Sequence, residues 1–246
     1  MIRFILIAVL LCIISFSLRI IFDTWEDMKA SDKETALIYD RIEEASDEDE
    51  GFTRESFLTL RQENPDLIAW LESDSGSVRL PVVQHPVHDY YLRRSFYGAY
   101  SEQGTPFMDE NSMPDDTNIL IYGHNVYYDE NAQFSPVARM TDQEEYEKNR
   151  YFSLYLEDEV RRYAVTHVYY LTAEEYEDYD FQRPEFDSEK EWNEWIALPD
   201  SHNLIQSDDC LRYGNRFITL QTCKKWDDDV HIIVLAKEIA SAPFPS

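Results

Sequence analysis

The sequence has little glycine, little cysteine and little positive charge. Only 6 of its 246 residues are glycine, and no internal period is visible, which excludes collagen-like and repeat architectures. Three cysteines are too few for a disulfide scaffold. Lys and Arg total 22 against 49 Asp and Glu, a formal net charge of −27. A surface this acidic repels phosphate backbones and argues against nucleic acid as a partner. What is present is a 43% hydrophobic and 14% aromatic composition. That suits one ordinary domain with a buried core plus appendages, and not a disordered acidic chain.

The one long apolar run lies at the N-terminus. Residues 4–18 carry no charge, and Arg19 interrupts before Ile20, Ile21 and Phe22. At about 1.5 Å per residue, 4–22 spans a bilayer core with Arg19 snorkelling. Arg3 precedes the run; Asp23, Glu26 and Asp27 follow it. The positive-inside bias therefore places the N-terminus in the cytoplasm and the remainder outside the cell. No small-x-small cleavage site directly follows the run, which favours an uncleaved single-pass anchor at 1–23 over a signal peptide.

Residues 24–52 read as an acidic stalk. Ser31 and Glu34 have capping-box spacing ahead of the apolar stripe Ala36, Leu37, Ile38 and Ile42, so part of the stalk is expected to be helical. The run Ser46-Asp47-Glu48-Asp49-Glu50-Gly51 reads as a solvated linker. From 53 to 246 a single folded domain is expected. Helical patterns cover 53–62 and, from Asn64 as cap and Pro65 at the first helical position, a short stretch with Leu67, Ile68 and Trp70. Runs rich in Val, Ile, Tyr, Phe and Thr at 78–84, 105–108, 118–122, 151–156, 162–171, 216–222 and 231–237 predict strands. Glu157-Asp158-Glu159 predicts a hairpin, and 135–140, 142–148 and 188–198 predict helices. Many short strands with helical insertions indicate a mainly β fold, a barrel or a sandwich.

Two residues suggest chemistry. Cys223 ends a predicted strand beside Lys224 and Lys225, which would favour a thiolate; a buried structural cysteine is the alternative. His124 ends another, in Tyr122-Gly123-His124-Asn125. A thiolate and a proton donor at two strand ends can meet over a carbonyl. Among other histidines, His85 and His88 form an H-x-x-H without a third ligand nearby in sequence, so no metal site is expected. His167 lies in an aromatic strand and reads as structural; His202 reads as part of a polar loop. Cys12 lies in the anchor and Cys210 in a polar segment, and neither is given a role.

Thr219-Leu220-Gln221-Thr222-Cys223 resembles the T-L-x-T-C motif of sortases, the membrane-anchored cysteine transpeptidases of Gram-positive bacteria. Tyr122-Gly123-His124-Asn125 resembles their catalytic-histidine strand, upstream in the expected order. Asn64-Pro65-Asp66-Leu67-Ile68-Ala69-Trp70-Leu71, Leu80-Pro81-Val82-Val83-Gln84, Asp89-Tyr90-Tyr91-Leu92 and Gly104-Thr105-Pro106-Phe107-Met108-Asp109 resemble segments of class B in particular. The predicted helix at 188–198 falls where class B carries a long insertion. The resemblance covers about 53–239 and implies a closed β-barrel with N-terminal helices. It further implies Cys223 as nucleophile and His124 as general acid and base. Surface proteins bearing a C-terminal sorting motif would be substrates, and an amine of peptidoglycan or a pilin lysine the acceptor, with no cofactor. Thr222 and Asn125 are expected beside the substrate.

One position departs from the pattern. His231 stands where sortases carry an arginine thought to bind substrate carbonyls and stabilise the oxyanion, and no arginine follows Arg216. Guanidinium is a permanently charged fork of donors; imidazole is neither. Three readings stay open. His231 donates one hydrogen bond; or Lys224, Lys225 or Arg216 takes over; or the chain is a weakened sortase that binds but hardly turns over. A purely hydrolytic cysteine protease, a peptide-binding adaptor and a metal-dependent hydrolase using His85 and His88 are the competing functions.

Overall fold

The computed structural model describes residues 2–45 and 51–244. The chain divides into two compact units, one ending at Asp40 and one beginning at Arg41. Helix α1 (Ile2–Ala45) contains an unburied apolar stretch of mean hydropathy 2.8, long enough to cross a membrane. The helix runs unbroken through Ser31, which is an interior helical residue and not the expected N-cap. Residues 23–45 contain good helix formers and neither Gly nor Pro, so nothing stops the helix at the end of the apolar run. The linker expected at 46–51 lies, apart from Gly51, outside the described residues.

In the second unit, helix α2 (Arg54–Glu63) starts where expected. The Thr53 hydroxyl accepts the Ser56 N–H and the Ser56 hydroxyl accepts the Thr53 N–H, so two orphan donors are satisfied reciprocally. Phe57 and Leu60 turn into the core. The next segment corrects the sequence reading: residues from Leu67 form a strand, β1 (Leu67–Ser73), and not a second short helix. Asn64 closes α2 as its C-cap and builds a turn, and does not open a new helix. Its side-chain oxygen accepts the Asp66 N–H at 2.9 Å and its amide donates to the Phe96 carbonyl at 2.7 Å. Both faces of β1 are largely covered, with Trp70 stacked on Phe52 at 4.7 Å, so the strand shows no polar–apolar alternation.

The remaining strands are β2 (Arg79–Val83), β3 (Phe107–Met108), β4 (Asn118–Tyr122), β5 (Tyr151–Tyr155), β6 (Glu159–Thr172), β7 (Phe217–Lys224) and β8 (Asp227–Pro243). They close into a barrel in the order β1-β2-β3-β4-β7-β8-β6-β5, which removes sheet edges. The fold is therefore the closed, mainly β barrel with helical insertions, and not a sandwich. Helices α3 (Ser135–Arg139) and α4 (Gln143–Lys148) precede β5, and α5 (Ala173–Asp178) and α6 (Glu189–His202) fill the long connection from β6 to β7. Ser188 caps α6 by accepting the Glu191 N–H. His202, expected in a loop, lies in the last turn of α6 and pairs with Glu175 at 3.1 Å.

Strand alternation decides what each face of β7 does. Ile218 and Leu220 point into the barrel with Ile119, Ile121, Val165, Val234 and Ala236. Phe217 lies on the opposite face, beneath Trp192 and Trp195 of α6. Thr219, Gln221 and Cys223 share that outer face, over which the β6–β7 connection folds.

Candidate active site

Strands β4 and β7 pair in parallel from Asn118↔Phe217 to Tyr122↔Gln221. Parallel neighbours end at the same rim, so residues 124 and 223, roughly a hundred positions apart in sequence, emerge side by side. The Gly123 N–H extends the ladder by one step, donating to the Gln221 carbonyl at 3.0 Å. A Cβ at Gly123 would run into the ring of Phe134, which is fully buried. The Phe134 N–H donates to the His124 carbonyl at 2.9 Å, so the chain folds tightly back under His124.

Cys223 and His124 line one cavity of about 400 Å³, together with Leu92, Arg93, Tyr127 and Tyr128. The His124 Nε2 donates to the Leu92 carbonyl at 2.8 Å, which fixes the ring. The Asn125 amide donates to the Cys223 carbonyl at 3.0 Å. Tyr127 is stacked at 4.9 Å on Trp226, which is exposed at the tip of the β7–β8 hairpin with φ 66°.

His231 is the register partner of Cys223 across β7 and β8, so both side chains stand on the same face. Its Nδ1 accepts from the Gln221 amide at 2.7 Å, and its ring packs on Tyr176 of α5 at 4.4 Å. Burial pushes its pKa down, with Asp229 opposing, so the imidazole is favoured neutral. Tyr176 reaches the same place: burial, followed by the charges of Asp89, Cys223 and Asp109, raises its phenol. Next to it, Tyr122 donates to Asp109 at 3.1 Å and accepts from Gln182 at 2.7 Å.

The other sequence candidates fall elsewhere. Thr222 is buried on the Ile218–Leu220 face of β7, and its hydroxyl has no hydrogen-bond partner among the described residues. Lys224 follows a bulge, pairs with Asp227 at 3.6 Å and lines a separate cavity with Arg139. Lys225 sits over the Trp226 ring. Arg216 lies seven residues before Cys223, about 23 Å along an extended strand, and donates to the Pro114 carbonyl at 2.8 Å. It cannot stand in for the missing arginine. The cation that does line the cavity is Arg93, paired with Glu102 at 2.7 Å.

Imidazoles 85 and 88 are otherwise engaged. His85 stacks on Tyr90 at 3.9 Å and accepts the Val87 N–H; His88 pairs with Glu110 at 2.9 Å, the bond that raises its pKa. No cluster of three or more potential metal ligands occurs among the described residues. His167 is buried between Thr166 and Asp200, a structural position, and burial lowers its pKa. Cys12 and Cys210 are exposed and free.

Three site residues escaped the sequence reading. Gln221 could have been found, since it stands two positions before Cys223 on the same strand face. Tyr176 and Arg93 could not, because only the tertiary fold brings α5 and the turn at Tyr90–Arg93 to the rim.

A model of the sortase domain matches residues 73–239. The chain belongs to the sortase family. Its structural neighbours are sortases B, as the class B segments imply. A mutant form of Clostridium perfringens sortase B superimposes with a TM-score of 0.68 at 28% identity, covering 76% of this chain and 87% of that one. A Staphylococcus aureus sortase B–substrate complex gives a TM-score of 0.74 at 23% identity, over 88% and 99% of the two chains. A sortase B complexed with triglycine gives 0.67 at 23%, over 88% and 97%. No curated protein sequence matches the chain.

Proposed function

We propose that this sortase is a membrane-anchored cysteine transpeptidase acting outside the cell. In this reading residues 1–23 form the anchor with a cytoplasmic N-terminus, 24–52 the stalk and 53–246 the catalytic domain. The observation that carries the reading is the shared cavity: Cys223 and His124 come from the ends of two parallel strands and line it together. Family membership and the closed barrel support the same chemistry.

Cys223 Sγ attacks the scissile carbonyl of a sorting motif near the C-terminus of a surface protein. The S–C bond forms, the C–N bond breaks, and His124 supplies the proton that the leaving amine carries away. An acceptor amine then attacks the thioester, gives its proton to His124 and releases the thiolate as the new amide forms. Triglycine bound to one sortase B, and substrate bound to another, support an amine acceptor and a peptide donor here. The acceptor is an amine of peptidoglycan or of a pilin lysine in a Gram-positive cell wall. Asn125 holds the Cys223 carbonyl in place, and Thr222 supports the strand from its buried face. The N–H of His231 or a nearby backbone N–H holds the oxyanion.

Intact-mass spectrometry of the full chain in detergent, with a panel of sorting-motif peptides, tests this reading. The expected result is an acyl adduct that is absent in Cys223→Ala and passes to an added amine. An adduct that only hydrolyses, whatever amine is present, would replace the transpeptidase by a protease. Binding without any adduct from pH 5 to 9 would replace it by an adaptor, the reading favoured by His231 in the arginine's place.

A further inference from the structure

The residue opposite the nucleophile is not merely a weaker cation. Three contacts define its state. The Gln221 amide donates to Nδ1 at 2.7 Å, so Nδ1 is an acceptor and the ring proton of a neutral imidazole sits on Nε2. Tyr176 covers the ring at 4.4 Å, excluding water from one face. Nε2 itself has no hydrogen-bond partner among the described residues, although it stands beside the strand position of Cys223. An unpaired donor at such a rim is what a developing oxyanion needs.

We propose that Gln221 and Tyr176 act as positioning residues that lock His231 as a neutral imidazole protonated on Nε2, presenting one N–H to the acyl group on Cys223. The groups facing His231 agree with this. On β7 they are Gln221 and Cys223, on α5 Tyr176, on β6 the apolar Leu171, and on its own strand Asp229. Asp229 is the one that favours a charged ring, and burial outweighs it. A family arginine would bring a permanent charge; this chain has a neutral single donor with a directing amide two residues before its nucleophile.

The catalytic consequence rests on the transpeptidase reading, but the tautomer does not. The test is nitrogen NMR of the full chain in detergent micelles, with both ring nitrogens of histidine labelled and the His231 signals identified by their loss in His231→Gln. At pH 7.5 the expected spectrum shows Nδ1 bare and Nε2 protonated. Gln221→Glu replaces the donor by a carboxylate, so the proton should move to Nδ1 and the titration midpoint should rise by about one pH unit or more. The acylation rate of Gln221→Glu should then titrate with that same midpoint, which a purely structural role would not produce. A proton on Nδ1 in the unmodified chain, or an imidazolium at pH 7.5, overturns the proposal without any variant having to fold. So does a Gln221→Glu spectrum that matches the unmodified one. The expected spectrum together with no peptide adduct would support the positioning and reject the transpeptidase.

Discussion

The side-chain amide of Asn125 is bonded to the main-chain carbonyl of Cys223 at 3.0 Å, tying the strand end that carries the histidine to the strand end that carries the thiol. This is a single neutral hydrogen bond, worth about 1 kcal/mol in stability. Its larger effect should be on geometry, since in the proposed mechanism small displacements of Cys223 are costly in rate. Asn125→Ala should therefore lower the thermal midpoint by only a few degrees while slowing adduct formation about tenfold or more. Calorimetry beside a mass-spectrometric time course measures both; equal rates would remove Asn125 from the positioning of Cys223.

In the proposed mechanism, replacing His124 removes the proton donor and leaves Cys223 in place. His124→Gln should reduce turnover by about 10²–10⁴, with the folded spectrum unchanged. A peptide with a good leaving group, which needs no proton, should recover most of the acylation rate. No recovery would mean that the ring serves Cys223 in some way other than as the acid.

Gly123 is fixed by what lies behind it. Gly123→Ala pushes a methyl group into the fully buried Phe134 ring and should cost about 1–3 kcal/mol, with a loss of activity greater than the loss of folded protein. Denaturant unfolding gives the first quantity. Gly123→Ala combined with Phe134→Leu should restore part of it; no rescue would place the cause outside this contact.

Trp226 occupies a left-handed backbone position at φ 66°, where glycine is at ease and tryptophan is strained. Its compensation is the stack on Tyr127, which lines the Cys223 cavity. Trp226→Gly should relieve about 1 kcal/mol of backbone strain and lose a similar aromatic contact, leaving stability nearly unchanged. Capture of the sorting peptide should weaken severalfold. Isothermal titration of the Cys223→Ala protein, with and without the change, reads this directly.

His167 and His231 are both held below the ordinary imidazole range, first of all by burial. The folded state therefore binds fewer protons there than the unfolded state. Their contribution to stability is complete above the unfolded value of about 6.5 and is lost as the pH falls from there through the lower folded values. His88 has the opposite sign, with a raised pKa, but is largely exposed and contributes little. Thermal midpoints from pH 7.5 to 5.5 should fall less steeply in His167→Gln than in the unmodified chain. Parallel slopes would show that His167 does not carry the effect.

Much of the candidate site was legible because its signals are local. Cys223 and His124 each end a β-branched run, and both runs are strands that stop within two residues of the expected place. The class B segments identified the family that the sortase-domain match shows. The misreadings share a cause: local pattern was overruled by distant partners. Asn64-Pro65 has the form of a helix start, yet Leu67–Ser73 pairs with β2 and with β5, whose residues lie about eighty positions away. Ser31 has the form of a cap, yet an unbroken helix runs through it. Lys224 adjoins Cys223 in sequence, but a bulge and Asp227 turn it to another cavity.

Residue type and short-range spacing were enough for the apolar span, the acidic charge, the strand runs and the choice of Cys223 and His124 as candidates. Which groups meet was settled by the packed barrel. Parallel pairing of β4 and β7 placed His124 beside Cys223, and antiparallel pairing of β7 and β8 set His231 opposite it. The folding of α5 over the barrel then laid Tyr176 on that imidazole. Proximity, burial and the proton position of a ring arise from long-range packing, and no spacing along the chain encodes them.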